Sequence, residues 1–386
     1  MVKALLGAVA IAWSMAGGAR AAHEHGGGAA LGASAAFDAD GRLFVVYKQG
    51  DQAVVRRSDD AGQSWTTPRT VSPPGEPVAT GGDSRPKIAT GPGGRVYVTW
   101  TRPPPRPYPG EIRFARSAAG GETFSAAMTV HSDRQEITHR FDALVVGPGG
   151  RVFVAWIDKR DLEVAKARGA PYRGAAVYLS RSDDHGETFD GDLRIADHSC
   201  ECCRIALLPE ADGGVVALWR HVFDPDIRDH AWTRVGADGR VEAPQRATFD
   251  GWRLDACPHH GPSLGADSTG RLHAVWFTQA PGQAGVHYGR LMDGAVDGQR
   301  RIGGDTAEHA DLAVSGMRVA VAWKEFDGER THLRALRSDD GGDQWREVSL
   351  ASTNGASDQP RVLVHAGRFH VFWQTRADPL GLWALP

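Results

Sequence analysis

The chain's 386 residues suffice for one large β domain or two smaller ones, and its 48 Gly and 22 Pro supply many turns. A net charge of -3, with no basic cluster interleaved with aromatics, gives no reason to expect a nucleic-acid partner. The cations are overwhelmingly Arg, a bias from which no function follows.

Residues 1–21 read as a secretory signal. Lys3 makes the positive start, Ala4 to Ala16 the apolar core, and Ala19-Arg20-Ala21 a small-x-small cleavage site. That apolar run is shorter than the ~20 residues a membrane span needs, and no later segment is long and apolar enough. No Cys follows the cleavage site, which argues against a lipid anchor. The expected mature protein is periplasmic or secreted, where disulfides are permitted. Residues 22–29 read as a flexible leader, in which His23 and His25 are weak candidate ligands for Cu(II) or Zn(II).

From residue 30 to 386 one unit recurs. A strand ends at a Gly-rich turn, and the next strand ends in an aromatic. The copies are Gly41–Tyr47, Gly94–Trp100, Gly150–Trp156, Gly213–Trp219, Gly270–Trp276, Gly316–Trp323 and Gly367–Trp373. Their alternation has period two, so they predict strands, and almost nothing in the chain shows a helical period. The spacing of the aromatics, from 47 residues (Trp276 to Trp323) to 63 (Trp156 to Trp219), fits a four-stranded blade with variable loops. The expectation is one all-β propeller of seven repeats, with six blades as the alternative. The seventh unit, from about Ser357, has two strands and a short third at Leu382–Leu385, and residues 30–37 are the expected strand to complete that last blade.

A second repeat is a turn. It reads Ser58-Asp59-Asp60-Ala61-Gly62-Gln63-Ser64-Trp65, and again from Ser182 to Phe189 and from Ser338 to Trp345, with a worn copy from Ser117 to Phe124. The Asp accepts bonds from backbone N–H groups a few residues on. The Gly supplies a positive φ, and the aromatic buries its ring between packed sheets. This frame resembles the Asp-box of the sialidase superfamily, and the resemblance covers most of the mature chain. It implies a propeller, six-bladed in the sialidases, whose Asp-boxes face away from the site. It also implies an arginine triad that clamps a carboxylate. A Tyr nucleophile, activated by a Glu, works there with an Asp acid/base. Ser84-Arg85-Pro86 is similar to the Arg-Ile-Pro motif of that family.

In a propeller, the segments leading into the innermost strands converge on one funnel. Here they are polar: Asp83 to Lys87, Thr138 to Asp142, Cys200 to Arg204, Cys257 to Gly261, Glu308 to Asp311 and Asp358 to Arg361. Arg85, Arg140 and Arg204 stand before three consecutive blades, and Arg220 sits on a loop above. They are the candidate ligand-binding residues, because a guanidinium offers a planar fork of donors to a carboxylate; salt-bridged rim arginines are the bland alternative. Asp158 and Asp161 are the candidate acids, and Tyr108 and Tyr172 the candidate tyrosines. The segment from Asp158 to Arg173 is expected to be a long loop able to cover the funnel.

All four cysteines fall in two neighbouring lead-in segments. One reading is two disulfides, within Cys200–Cys203 and across to Cys257. The other is a metal site for copper or zinc built from Cys200, Cys202, Cys203, Cys257, His259 and His260, since thiolate with imidazole suits Cu(I) or Zn(II). A mixture of one disulfide with two thiols is the third. His198, His221, His230 and His309 lie nearby in the expected fold. Three functions are in view: a monomeric propeller binding an acidic glycan, with sialidase-like hydrolysis as a further step; a periplasmic copper-binding protein; and a non-catalytic interaction scaffold.

Overall fold

A computed structural model describes residues 31–386 apart from 107 and 119. The expected signal and leader lie outside the described residues.

Seven antiparallel sheets follow one another along the chain in simple up-and-down order. Their innermost strands are Ser34–Phe37, Lys87–Gly91, His139–Val146, Ala206–Pro209, Ser263–Ala266, Ala307–Ser315 and Arg361–His365. Each innermost strand lies beside the next, and the seventh lies beside the first, so the ring closes. This is a seven-bladed propeller. Each sheet is covered on both faces by its neighbours, so the second strands are the most buried: Val215–Arg220 and Val152–Asp158 are buried throughout. The repeated aromatics are the largest members of this core, and Trp100, Trp156, Trp219, Trp323 and Trp373 are fully buried. A buried indole N–H needs an acceptor. Trp100 donates to Glu76, Trp156 to Asp158, Trp323 to Glu325 and Trp373 to the carbonyl of Asp358.

The strand expected to complete the last blade does something else. Ser34–Phe37 pairs with Leu43–Val46 as the innermost strand of blade 1. Blade 7 keeps three strands, Arg361–His365, Arg368–Phe372 and Leu382–Leu385. Side chains fasten the seam instead. The Gln374 amide oxygen accepts the backbone N–H groups of Gly32 and Ala33, at 2.8 and 3.1 Å. The Arg85 guanidinium holds Asp358 bidentately, both bonds at 2.6 Å.

Each Asp-box begins on the last residue of a third strand. First and third strands run the same way, so these turns lie at the edge opposite the lead-in segments. In the first copy Asp60 accepts the N–H and hydroxyl of Ser64, at 2.8 and 2.5 Å, while the Ser58 hydroxyl accepts the N–H of Gly62 at 2.7 Å.

One element departs from the all-strand expectation. Arg160–Ala167 is an α-helix, not a loop. Its residues are good helix formers with Asp161 and Glu163 in the first turn, where the helix dipole favours negative charge. It exposes Val164 and buries only Ala165, so it leaves little hydrophobic periodicity to read.

Candidate functional site

The lead-in segments do converge, but three of the four arginines arrive already engaged. Arg85 is wholly buried, its fork filled by Asp358 and its remaining bonds given to the carbonyls of Gly82 and Ala33. Arg204 donates to the carbonyls of Pro262 and Ala310 and to Gln359, and its own N–H meets Asp83. Arg220 donates to the carbonyls of Arg228, His260 and Phe277. These three side chains stitch blades together, and the expected triad of open forks does not form.

Arg140 is different. The chain bulges opposite Trp156, where the register against the second strand shifts and Phe141 takes a positive φ of 58°. Such a bulge re-aims its side chains. Arg140 is half-buried; its guanidinium lies over the Phe141 ring at 5.2 Å and donates to the Ser84 hydroxyl at 3.3 Å, and its Nε has no hydrogen-bond partner. It has no carboxylate partner among the described residues.

Arg140 faces a cavity of about 830 Å³ at the mouth of the channel. Tyr108, highly exposed, and Phe141 supply aromatic surface there. Lys159, paired to Glu201 at 2.5 Å, and Lys324, paired to Glu308 at 3.2 Å, also line it, as do Glu201 and Asp358. His259, His309, Cys202 and Cys257 also line it. A larger hollow of about 1080 Å³ lies at the seam of blades 7 and 1, lined by Tyr47, Trp65 and Leu382. No lead-in segment converges on it, so the channel mouth is the better candidate site.

Of the candidate catalytic residues only Tyr108 lines that cavity; Asp158, Asp161 and Tyr172 do not. Asp158 is wholly buried and accepts bonds from His139, Trp156 and Arg160. Burial alone would raise its pKa, but the bonds from His139 and Arg160 outweigh it and hold the carboxyl well below the usual range. A group held ionised in this way does not serve as an acid. Asp161, on the helix, accepts the Tyr178 hydroxyl at 2.8 Å. Tyr172 donates to Asp197 at 3.0 Å, and burial together with that carboxylate pushes its pKa far up, away from a nucleophile.

The cysteines do meet. Cys200, Cys202 and Cys203 are buried, with Sγ–Sγ distances of 3.7, 3.7 and 4.0 Å. The expected disulfides are not formed: all four thiols are free. An S–S bond is about 2.05 Å, so these contacts are nearly twice too long. Cys257, exposed on the next blade's lead-in segment, lines the same cavity as Cys202 but stands outside the close cluster of three. Bonds from Cys202 and Cys203 hold the Cys200 thiol well below its ordinary pKa, while the bond to Cys200 pushes Cys202 up. His260 stacks between Phe277 and His309, at 4.0 and 4.2 Å, and lies with His309 and Glu308 in a second cluster.

Sequence reasoning missed Phe141 and the Gly81-Gly82 pair as cavity lining. The only local signal for the pair was its place just before a polar lead-in segment.

No family model and no curated protein matches the sequence. Solved structures share the fold. An ulvan lyase bound to a GlcA(1-4)Rha3S unit matches with a TM-score of 0.54 and 10% identity, over 92% of this chain and 93% of that one. A Hadza microbial sialidase matches at 0.51 and 15%, over 90% and 73%. An α-L-arabinanase of Penicillium chrysogenum matches at 0.53 and 13%, over 78% and 91%. At these identities the likeness is one of fold: this is a β-propeller.

Proposed function

We propose that this chain is an exported, carbohydrate-recognising propeller that takes an acidic sugar at the mouth of its channel. The observation that carries the reading is Arg140, a half-buried guanidinium with no carboxylate partner, facing a cavity with Tyr108 and two lysines around it. A guanidinium so placed suits a bidentate carboxylate, and an exposed aromatic suits the apolar face of a sugar ring. Glucuronate in the ulvan lyase complex, and sialidase among the fold neighbours, support the acidic class of ligand. Export rests on the signal-like residues 1–21. Hydrolysis is not part of the proposal, because Asp158, Asp161 and Tyr172 are engaged elsewhere.

The test is a glycan array carrying uronate- and sialate-terminated sugars, followed by calorimetry on each hit. Loss of one charge-assisted pair costs about 1.5–3 kcal/mol, so Arg140→Ala should weaken binding by roughly 10- to 100-fold. A folded protein that binds no acidic glycan overturns the reading. N-terminal sequencing of the periplasmic fraction should begin at Ala22; a retained Met1 overturns export.

A further inference from the structure

The three buried thiols form a triangle, and its size has a chemical meaning. A cation that holds thiolates at about 2.3 Å in tetrahedral geometry sets its sulfurs about 3.8 Å apart. The observed edges are 3.7, 3.7 and 4.0 Å. No backbone shift is needed to place an ion over that face. Cys200-Glu201-Cys202-Cys203 achieves this on an irregular loop just before the innermost strand of blade 4, where the chain is free to point three thiols to one side.

The surroundings fit a charged cluster. Thiolates buried without compensation are costly. Arg220 lies alongside: its backbone carbonyl accepts the Cys200 N–H at 2.9 Å, and its Nε has no partner. His230 is wholly buried beside Cys200 and its Nε2 is also unpartnered. Cys202 and Cys257 open onto the channel-mouth cavity, which gives an ion a route in.

We propose that Cys200, Cys202 and Cys203, joined by Cys257, bind one thiophilic d¹⁰ cation, Cu(I) or Zn(II). Soft thiolate ligands select these ions over harder ones. Each ligating thiol releases its proton to solvent, and neither sulfur nor metal changes oxidation state. The two ions ask different things of the site. Three thiolates complete a trigonal Cu(I) centre, whereas tetrahedral Zn(II) takes a fourth ligand, for which Cys257 is the nearest remaining thiol and water the substitute. This site shares its cavity with Arg140 but uses none of that residue's groups, so metal uptake is read separately from glycan binding.

The test uses the full chain, purified from the periplasm under reducing conditions. Three measurements are made on it: elemental analysis, a Co(II) titration read by thiolate-to-metal charge-transfer absorption, and Cu(I) competition against bicinchoninate. The proposal expects about one equivalent of Zn(II) or Cu(I). Cys257→Ser, a change at an exposed position, should weaken Zn(II) and Co(II) binding and leave Cu(I) binding unchanged. Bound metal should also protect Cys200, Cys202 and Cys203 from alkylation in the unmutated protein, a readout that needs no variant. Two results overturn the proposal. One is a folded, reduced protein that takes up neither ion. The other is a native sample whose mass spectrum shows two disulfides, no free thiol and no metal.

Discussion

Asp358 is the residue whose removal should hurt the ring most cleanly. It fills the fork of Arg85 across the seam between the chain's two ends, with both bonds at 2.6 Å, and Arg85 is wholly buried. Asp358→Ala leaves that guanidinium without its counter-charge. Breaking a buried pair from one side costs about 3–5 kcal/mol. Arg85 keeps the carbonyls of Gly82 and Ala33 as acceptors, which places the expected loss near the lower end, about 3 kcal/mol. Unfolding entropy near 60 °C is about 2.1 cal/mol/K per residue, or about 0.7 kcal/mol/K for the described residues 31–386, so Tm should fall by about 4 °C. Replacing both partners, Arg85→Met with Asp358→Leu, removes the uncompensated charge and should recover most of the loss, because a buried pair and an apolar pair of similar volume are close in stability. Calorimetry and urea unfolding on the three proteins decide it. A single variant within about 1 kcal/mol of the parent, or a double variant no better than the single, refutes the reasoning.

Two further predictions follow from the turns. The Asp60 carboxyl is lowered from 3.8 to about 2 by the Ser64 hydroxyl and N–H and by Ser58, and Asp184 is lowered in the same way by Thr188. A folded-state pKa below the unfolded one stabilises the protein above the unfolded value, and that stability is lost as pH falls from about 4 through about 2. Tm measured from pH 5 to pH 2 should drop, and Asp60→Asn with Asp184→Asn should flatten the drop; an unchanged slope rejects the assignment. At Gly342, φ is 89° and an added Cβ would stand 2.0 Å from the Tyr288 hydroxyl, whose ring packs edge-on against Trp345. Gly342→Ala should therefore cost about 2–4 kcal/mol in urea unfolding, against about 1 kcal/mol for Gly75→Ala, which has a similar φ and empty space around it. Equal costs at the two positions would show that backbone strain, not the Tyr288 contact, decides.

The blade count was legible because its signals are local. A second strand such as Gly150–Trp156 shows its alternation and closing aromatic within seven residues, and a turn such as Ser182–Phe189 carries its own hydrogen bonds within eight. The partners of the arginines were not legible. Arg85 meets a carboxylate 273 positions away, and Arg204 meets Gln359 across 155, so no window of sequence shows that their forks are filled. The same distance hid Arg140's availability, which rests on a bulge at Phe141 and on what its neighbours leave unpaired. The convergence of Cys257 with Cys200–Cys203 was legible, because adjacent blades bring adjacent lead-in segments together. The helix at Arg160–Ala167 was not, since it turns almost no apolar stripe inward.

Because blades 7 and 1 share no strand, nothing along the backbone carries the ring across its own junction. The fastening groups are Gln374 and Asp358 on one side and Gly32, Ala33 and Arg85 on the other. Until the final few dozen residues are in place, six stacked sheets form an open arc whose two faces remain bare. The polar hollow that gathers Arg140, the lysines and the thiols therefore depends on side-chain bonds at a junction far from those residues in sequence.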